Sequence, residues 1–365
     1  MMQIKHLMAG LSLSLFMLSV CQDTTIIKEP AKTIDPDFKI IRALDLSTFP
    51  EMEVFNPALR DSAGNPIDFL SFIQQKGVNC IRLRLWIDPP QLHSVFDEVR
   101  SFAERLRFKG FHIWLALHYS ETWADPGQQE MPSAWQELQF SQLRDSVYQY
   151  TFQVLRAIKP EIAQLGNEIN NGFLFPQGSL SKNPQGFLPL LEKAVSACRV
   201  ASPESRVLLH YAGIGEIAHF LEKLERIDYD ILGISYYPLW HGKNLTQLSE
   251  KLEEIAQKQD KDLLIAETAY PFTLEWNDWT HNIIGQEQQL ILPDFPASPL
   301  GQKDFLNRIR EIIEQNSRGI GFCYWGGEWV AFKGSQAEDG SPWENQALFD
   351  FDHRALPAWE VFEEK

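Results

Sequence analysis

Two glutamates carry the first chemical suggestion in this chain. Glu168 lies in Gly166-Asn-Glu-Ile-Asn-Asn-Gly172 and Glu267 opens Glu267-Thr-Ala-Tyr-Pro271, each directly after a short apolar, β-rich run. Cleaving a glycosidic bond needs one carboxylic acid to protonate the leaving oxygen and one carboxylate to meet the oxocarbenium-like carbon. One Glu at a strand end is as readily a surface or ion-pair residue. Two of them, with Asn, His, Tyr and Trp at the ends of other apolar runs, make a much stronger pattern. Asn167 is placed to donate to a sugar 2-hydroxyl, a contact that strengthens in the transition state. Tyr236 and Arg84 are expected to hold Glu267 ionised and oriented, so that Glu168, in the drier setting, keeps its proton.

Such a pair works only if the fold brings the two runs together. Short β-rich segments recur at Ile40–Asp45, Val78–Leu85, Phe111–His118, Ile162–Gly166, Arg206–His210, Ile231–Tyr236, Asp262–Ala266 and Gly319–Trp325. Between them lie stretches with apolar residues three and four apart, which is helical spacing. Val95–Lys109 is one, with Ser94 and Asp97 reading as a capping box and Gly110 as its end. Leu143–Ile158, Gly186–Val200, Ile217–Leu224, Leu245–Gln257, Phe305–Ile313 and a closing helix around Ala358–Phe362 read likewise. Alternation of this kind predicts one (β/α)8 TIM barrel with long βα loops, spanning residues 39–365 as a single domain. A doubly wound sheet fits the evenly recurring units less well.

A barrel presents its function at the C-terminal strand ends. Those ends hold Asp45, Arg84 with Trp86, His118, Asn167-Glu168, His210-Tyr211, Tyr236-Tyr237, Glu267 and Trp325. Arg82 and Arg84 share one face of their strand. One of them pairs structurally with a barrel carboxylate, and Arg84, nearer the C-terminal end, is expected at the site. The chain has 11 Trp beside 24 Phe and 9 Tyr, a large supply of flat, amphipathic surface on which sugars stack. Trp86, Trp123, Trp240, Trp276, Trp325 and Trp329 follow strand ends and are candidate platforms, about half of them expected to touch substrate. Trp114 and Trp359 read as core, and Trp135, Trp279 and Trp343 as loop packing.

Composition removes several classes of function. The formal charge of −16 disfavours nucleic acid and polyanionic substrates, which would be repelled. The apolar run over residues 7–20 has the length of a secretory h-region and is too short to span a bilayer. It ends at Leu18-Ser19-Val20-Cys21, resembling a bacterial lipoprotein signal with Cys21 as the lipidated residue. Residues 1–21 are therefore expected to be a signal peptide, and the polar residues 22–38 a tether. The expected location is the outer membrane or cell surface, with membrane contact through the lipid anchor only. Cys80, Cys198 and Cys323 sit in apolar segments and read as buried inert thiols. Gly213-Ile-Gly215-Glu-Ile-Ala218 approaches a dinucleotide fingerprint but falls in the fifth unit, where a tight βα turn explains it better. Asn244-Leu-Thr246 reads as a coincidental glycosylation triplet, and Asp350 and Asp352, alternating with Phe349 and Phe351, as a short extended segment with one wet face.

The longer motifs resemble glycoside hydrolase family 53. They are His118-Tyr-Ser-Glu-Thr-Trp-Ala-Asp-Pro126 with Trp135, the Gly166–Gly172 run, Glu267–Pro271, Ile81-Arg-Leu-Arg-Leu-Trp86, Gly233-Ile-Ser-Tyr-Tyr-Pro238, and Tyr324-Trp325 with Trp329. They run in the family's order from about Asp45 to the C-terminus. The family comprises endo-β-1,4-galactanases, clan A retaining enzymes on a (β/α)8 barrel. The resemblance implies Glu168 as acid/base and Glu267 as nucleophile, with pectic galactan or type I arabinogalactan as substrate and no cofactor. Asp45, Arg84, Trp86, His118, Trp123, Asn167, Tyr236, Trp240, Trp325 and Trp329 are then the expected substrate-binding residues. Glu121 departs from the family, which commonly has Asp there. Some members carry a calcium loop after the nucleophile; Glu275, Asn277 and Asp278 supply oxygens, but the ligand spacing of that site is not reproduced, so no metal is expected. The chain is taken as a monomer. The other readings are a different clan A specificity, such as a β-mannanase or galactosidase, and a non-catalytic glycan-binding surface lipoprotein.

Overall fold

A computed structural model describes residues 38–364. The expected signal peptide, Cys21 and nearly all of the tether lie outside the described residues. Eight parallel strands close on themselves in sequence order: β1 Ile41–Asp45, β2 Cys80–Leu85, β3 His112–Leu117, β4 Ile162–Leu165, β5 Arg206–Ala212, β6 Ile231–Ser235, β7 Asp262–Thr268 and β8 Gly319–Trp325. This is the (β/α)8 barrel that the alternating pattern predicts. The strands are buried on both faces because helices cover one side and the barrel interior the other. One parity of residues, including Ile41, Ala43, Cys80, Trp114, Leu208 and Cys323, forms a separate apolar cluster that plugs the barrel. The opposite parity, such as Ile81, Leu83 and Leu85 of β2, joins the larger core with the surrounding helices.

Two helices, α1 Phe49–Phe55 and α2 Phe69–Gln75, precede β2 and were not legible as separate elements in the sequence. The remaining layer comprises α3 Phe96–Phe108, α4 Phe140–Ile158, α5 Phe187–Ala201, α6 Ile217–Lys223, α7 Pro238–His241, α8 Leu245–Lys258 and α9 Pro299–Gln315. The chain ends in a 3-10 turn, Pro357–Phe362, rather than the α-helix expected there. At α3 the cap also differs from expectation. Val95 is the N-cap, Ser94 has φ +60°, and Glu98 instead accepts from the Ser94 N–H at 2.7 Å. The Ser94 hydroxyl is occupied by Arg84 Nε at 3.1 Å, so a tertiary contact overrides the local capping rule.

Closure between β1 and β8 depends on Gly321. A Cβ there would meet the Ile41 carbonyl oxygen at 1.9 Å, and its φ of +136° is open only to glycine. Cys80 and Cys323 inside the barrel and Cys198 in α5 are buried free thiols. The Gly213–Ala218 segment is the turn between β5 and α6, with Gly213 at φ +74°. Asp350 closes a turn, accepting from the Asp352 and Arg354 N–H groups, where an extended segment was expected. Asn244 is the N-cap of α8 and accepts from the Gln247 N–H.

Candidate active site

The C-terminal strand ends open into a cleft of about 650 Å³. Glu168 and Glu267 both line it, with Asp45, Arg82, Arg84, His118, Trp123, Asn167, Tyr237, Trp240, Trp325, Trp329 and Trp343 among the other walls. Each carboxylate is aimed by a local departure from regular structure. After β4, Gly166 has φ +84° and Glu168 itself φ +47°, so the chain turns sharply and lifts the Glu168 side chain into the cleft. A left-handed conformation at a non-glycine residue costs on the order of 1 kcal/mol and is held only by surrounding structure. Glu267 is set by an irregularity in β7: the pairing with β6 runs Ile234 to Ile265 and then Ser235 to Glu267. The extra residue re-phases the strand, so Glu267 shares the inner face with Ala266 rather than alternating away from it.

Arg82 organises the floor. It is 1% exposed, and its guanidinium reaches Asp45 Oδ2 at 2.7 Å, Glu267 Oε1 at 2.8 Å and Asn167 Oδ1 at 2.7 Å. Its Nε donates to Gln164 Oε1 at 3.1 Å. One cation thus ties β1, β2, β4 and β7 together and leaves two carboxylates sharing a single positive charge. Tyr237 Oη donates to the other oxygen of Glu267 at 3.0 Å.

These partners separate the two glutamates. Burial raises Glu267, while Arg82 and Tyr237 act against the rise by favouring its charged form. Glu168 has no comparable cation in contact. Burial, reinforced by the nearby Glu267 charge, pushes it up to about 8. The first proton of the pair therefore leaves Glu267, and Glu168 retains its own through neutrality. Burial, with Arg84 and Arg82 beside His118 and with Arg82 beside His210, holds both imidazoles well below their usual range, so both are neutral.

Two expectations about these partners are corrected. The residue holding Glu267 is Arg82, not Arg84, and Tyr237, not Tyr236. Tyr236 is buried, and its hydroxyl donates to the Gly242 carbonyl at 2.6 Å, away from the cleft. β6 ends at Ser235, and Tyr237, two residues on in extended backbone, keeps the inward phase. Arg84 lies higher in the wall, its guanidinium carbon 4.1 Å from the Trp86 ring and 4.0 Å from Trp123. Asn167 lines the cleft, but its amide is engaged: Nδ2 donates to Ala124 O at 2.8 Å while Oδ1 accepts from Arg82.

The aromatic wall also differs in detail from the sequence reading. Trp123, Trp240, Trp325 and Trp329 line the cleft as expected, but Trp86 is buried behind Trp123, ring centroids 5.4 Å apart edge to face. Trp276 packs against His281 outside the cleft lining. Trp343, expected as loop packing, lines the cleft: it meets Trp325 edge to face at 4.6 Å and Tyr237 at 5.9 Å. Nothing in its local sequence marks it, since it arrives from a long loop after β8. In the segment considered for calcium, Asp278 Oδ1 accepts from Thr280 N, and Asn277 N donates to Glu344 Oε1. Among the described residues no group of three or more His, Cys, Asp or Glu is gathered as a metal would require.

Comparison with known proteins follows the same lines. Residues 41–362 match the profile of glycosyl hydrolase family 53. The arabinogalactan endo-β-1,4-galactanase of Cellvibrio japonicus is 32% identical over 338 residues, covering 87% of this chain and 89% of its own. The endo-β-1,4-galactanase of Bacillus subtilis is 27% identical over 373 residues, 88% of this chain and 85% of its own. The solved GH53 catalytic domain of Ignisphaera aggregans superposes with a TM-score of 0.83 at 34% identity, covering 92% of this chain and 98% of that one.

Proposed function

The chain belongs to glycosyl hydrolase family 53, and from that premise we propose that it is an endo-acting, retaining glycoside hydrolase of β-1,4-galactan and type I arabinogalactan. The observation that carries this reading is one cleft holding two glutamates in different electrostatic settings, Glu267 against Arg82 and Tyr237, Glu168 without a cation in contact. Glu267 attacks the anomeric carbon while Glu168 protonates the departing glycosidic oxygen; the negative charge lost from Glu267 is replaced by a covalent glycosyl bond. Glu168, now ionised, takes a proton from water as that water attacks the same carbon, and Glu267 leaves as carboxylate. Arg82 and Tyr237 receive that charge at the end of the cycle as they held it at the start.

The chain of edge-to-face contacts from Trp123 through Trp325 and Trp343 to Tyr237 and Trp240 gives the cleft a continuous apolar wall. Sugar faces stack on such a wall with little penalty, and an uncharged polymer is not repelled by the acidic surface. The galactanase relatives support galactan as the polymer. A time course of products from linear β-1,4-galactan tests the reading. Early galacto-oligosaccharides that shorten with time are expected; release of monosaccharide alone, or no release, would overturn it.

Export and lipidation at Cys21 belong to the same proposal, supported by the apolar run over residues 7–20 that ends beside it. An anchored enzyme meets a polymer too large to enter the cell. Metabolic labelling with a fatty acid should mark the protein, and Cys21→Ser should lose the label.

A further inference from the structure

His241 lines the cleft, yet neither glutamate depends on it. It closes the short helix α7, where its N–H returns to the Tyr237 carbonyl at 2.9 Å. Its ring folds back onto the same residue, with Nδ1 3.0 Å from the Tyr237 backbone nitrogen. A backbone N–H can only donate, so Nδ1 must hold the lone pair. The neutral ring then carries its hydrogen on Nε2. Protonation would set a hydrogen on Nδ1 against the Tyr237 N–H, and burial holds the imidazole down at about 4 from an ordinary 6.5. The tautomer is fixed by a partner whose own hydrogen cannot move.

Gly213 decides where that ring sits. Directly after β5 it has φ +74°, and a Cβ there would stand 2.9 Å from His241 Cδ2 and 3.2 Å from Cγ. Only glycine lets the imidazole lie this close. The first glycine of Gly213-Ile-Gly215 therefore does more than turn the chain: it seats a side chain from the next βα unit. With Nδ1 turned to Tyr237 and Cδ2 against Gly213, the ring edge left to the cleft is Cε1–Nε2. Nε2 has no hydrogen-bond partner among the described residues and stays open to the cleft.

The order of strands decides which part of the polymer this donor meets. Glu168 follows β4 and Glu267 lies on β7, so β5 and β6 occupy one side of the line between them. Trp123, Trp325 and Trp329 belong to the other side, with β3 and β8. A polymer cut between the two carboxylates has sugars on both sides. On the β5–β6 side the cleft offers Trp240, 54% exposed and braced edge to face on Tyr237 at 5.3 Å, and beside it His241. We propose that His241 Nε2–H donates to a hydroxyl oxygen of the sugar bound on this side, with Trp240 as that sugar's stacking surface. A sugar that is only stacked can slide over an indole. A donor of fixed tautomer, held by backbone and by Gly213, sets its orientation and register.

Because this assignment rests on the galactanase reading, its test keeps the two apart. His241→Asn places an amide oxygen where Nδ1 was, so the Tyr237 N–H keeps its acceptor while the Nε2 donor is lost. KM for linear β-1,4-galactan should rise about five- to tenfold, the loss of one neutral hydrogen bond, with kcat changed less than twofold. In the ¹⁵N-labelled full chain carrying Glu267→Gln, which does not turn over, NMR should find the His241 hydrogen on Nε2. Adding galactohexaose, long enough to span both sides, should shift that N–H signal, identified by its absence when His241→Asn is added. An unchanged KM, a fall in kcat alone, a hydrogen on Nδ1 or a signal unmoved at saturation would each overturn the assignment and leave the galactanase reading standing. A parent enzyme that releases nothing from galactan would overturn both.

Discussion

Arg82 Nη2 stands 2.8 Å from Glu267 Oε1, and the same side chain grips Asp45 through its other terminal nitrogen at 2.7 Å. The pairing sets the charge state of the whole floor. One guanidinium faces two carboxylates, so a third negative charge at Glu168 finds no cation free to receive it. Arg84 is not that cation, because it is drawn up the wall between Trp86 and Trp123. Glu168 keeps its proton for that reason, and a general acid at neutral pH is the result.

Arg82→Lys should therefore cost both activity and stability. An ammonium cannot reproduce the planar fork that reaches Asp45, Asn167 and Glu267 together. We expect kcat/KM to fall by about 10²–10³-fold, comparable to loss of a preorganised electrostatic contact. Stability by denaturant unfolding should fall by roughly 3–5 kcal/mol, as for other broken buried ion pairs. Wild-type turnover in this variant would show that the floor does not depend on Arg82.

The two glutamates should separate by leaving group. Glu267→Gln removes the nucleophile and should abolish turnover on every substrate. Glu168→Gln should lose the polysaccharide yet retain glycosylation by aryl galactosides whose leaving group needs no proton. A pre-steady-state burst with such a substrate, followed by slow turnover, is the expected signature, because the base for the second step is also gone.

Neighbouring tyrosines give a sharper contrast. Tyr237→Phe removes the hydroxyl that donates to Glu267 at 3.0 Å and should lower kcat by roughly ten- to a hundredfold with a small change in KM. Tyr236→Phe removes a bond to the Gly242 carbonyl and should cost about 1 kcal/mol of stability with kcat preserved. Equal catalytic losses in the two variants would contradict the assignment.

The pH profile follows from the same floor. Activity requires Glu168 protonated, so kcat/KM should decline as pH rises through about 8. Glu267→Gln deletes a neighbouring negative charge, which makes ionising Glu168 easier and must lower its pKa. Carboxyl titration by ¹³C NMR should therefore show Glu168 titrating earlier in Glu267→Gln than in the parent. A later titration would have the wrong sign for a repelling pair.

Glu328 makes a prediction about stability alone. It is fully buried, bonded only through Thr48 Oγ1 at 2.6 Å on one oxygen, and burial pushes it up to about 8 from an ordinary value of 4.5. The folded state holds this proton between those values and the unfolded state does not, so stability falls as pH rises through the window and is level above it. Glu328→Gln has no proton to lose. Its stability relative to the parent should grow by a few kcal/mol between about pH 4.5 and pH 8, measured by denaturant midpoints across that range. A constant difference would show that Glu328 is ionised in the fold.

Much of the architecture was legible because its physical signals are local. The β8 run Gly319–Trp325 coincides with the observed strand, and the other strands differ by one or two residues at their ends. Apolar spacing of two and of three to four reports burial directly. The carboxylates at Glu168 and Glu267 were readable because a barrel gathers strand ends into one cleft whatever the sequence between them.

What the sequence alone determined, then, is the barrel, its order of strands and the set of strand-end residues from which a site is assembled. Only the tertiary structure decided which of two near neighbours does each task. Arg82 and Arg84 lie on one strand face, and their division depends on how deep each reaches between β1, β4 and β7. Tyr236 and Tyr237 differ by one residue, which in extended backbone exchanges the core for the cleft. Trp343 enters from a loop with no periodicity to betray it, and the re-phasing of β7 that turns Glu267 inward arises from its pairing with β6. Strand phase, depth and loop trajectory are set by contacts between distant segments, and no local pattern encodes them.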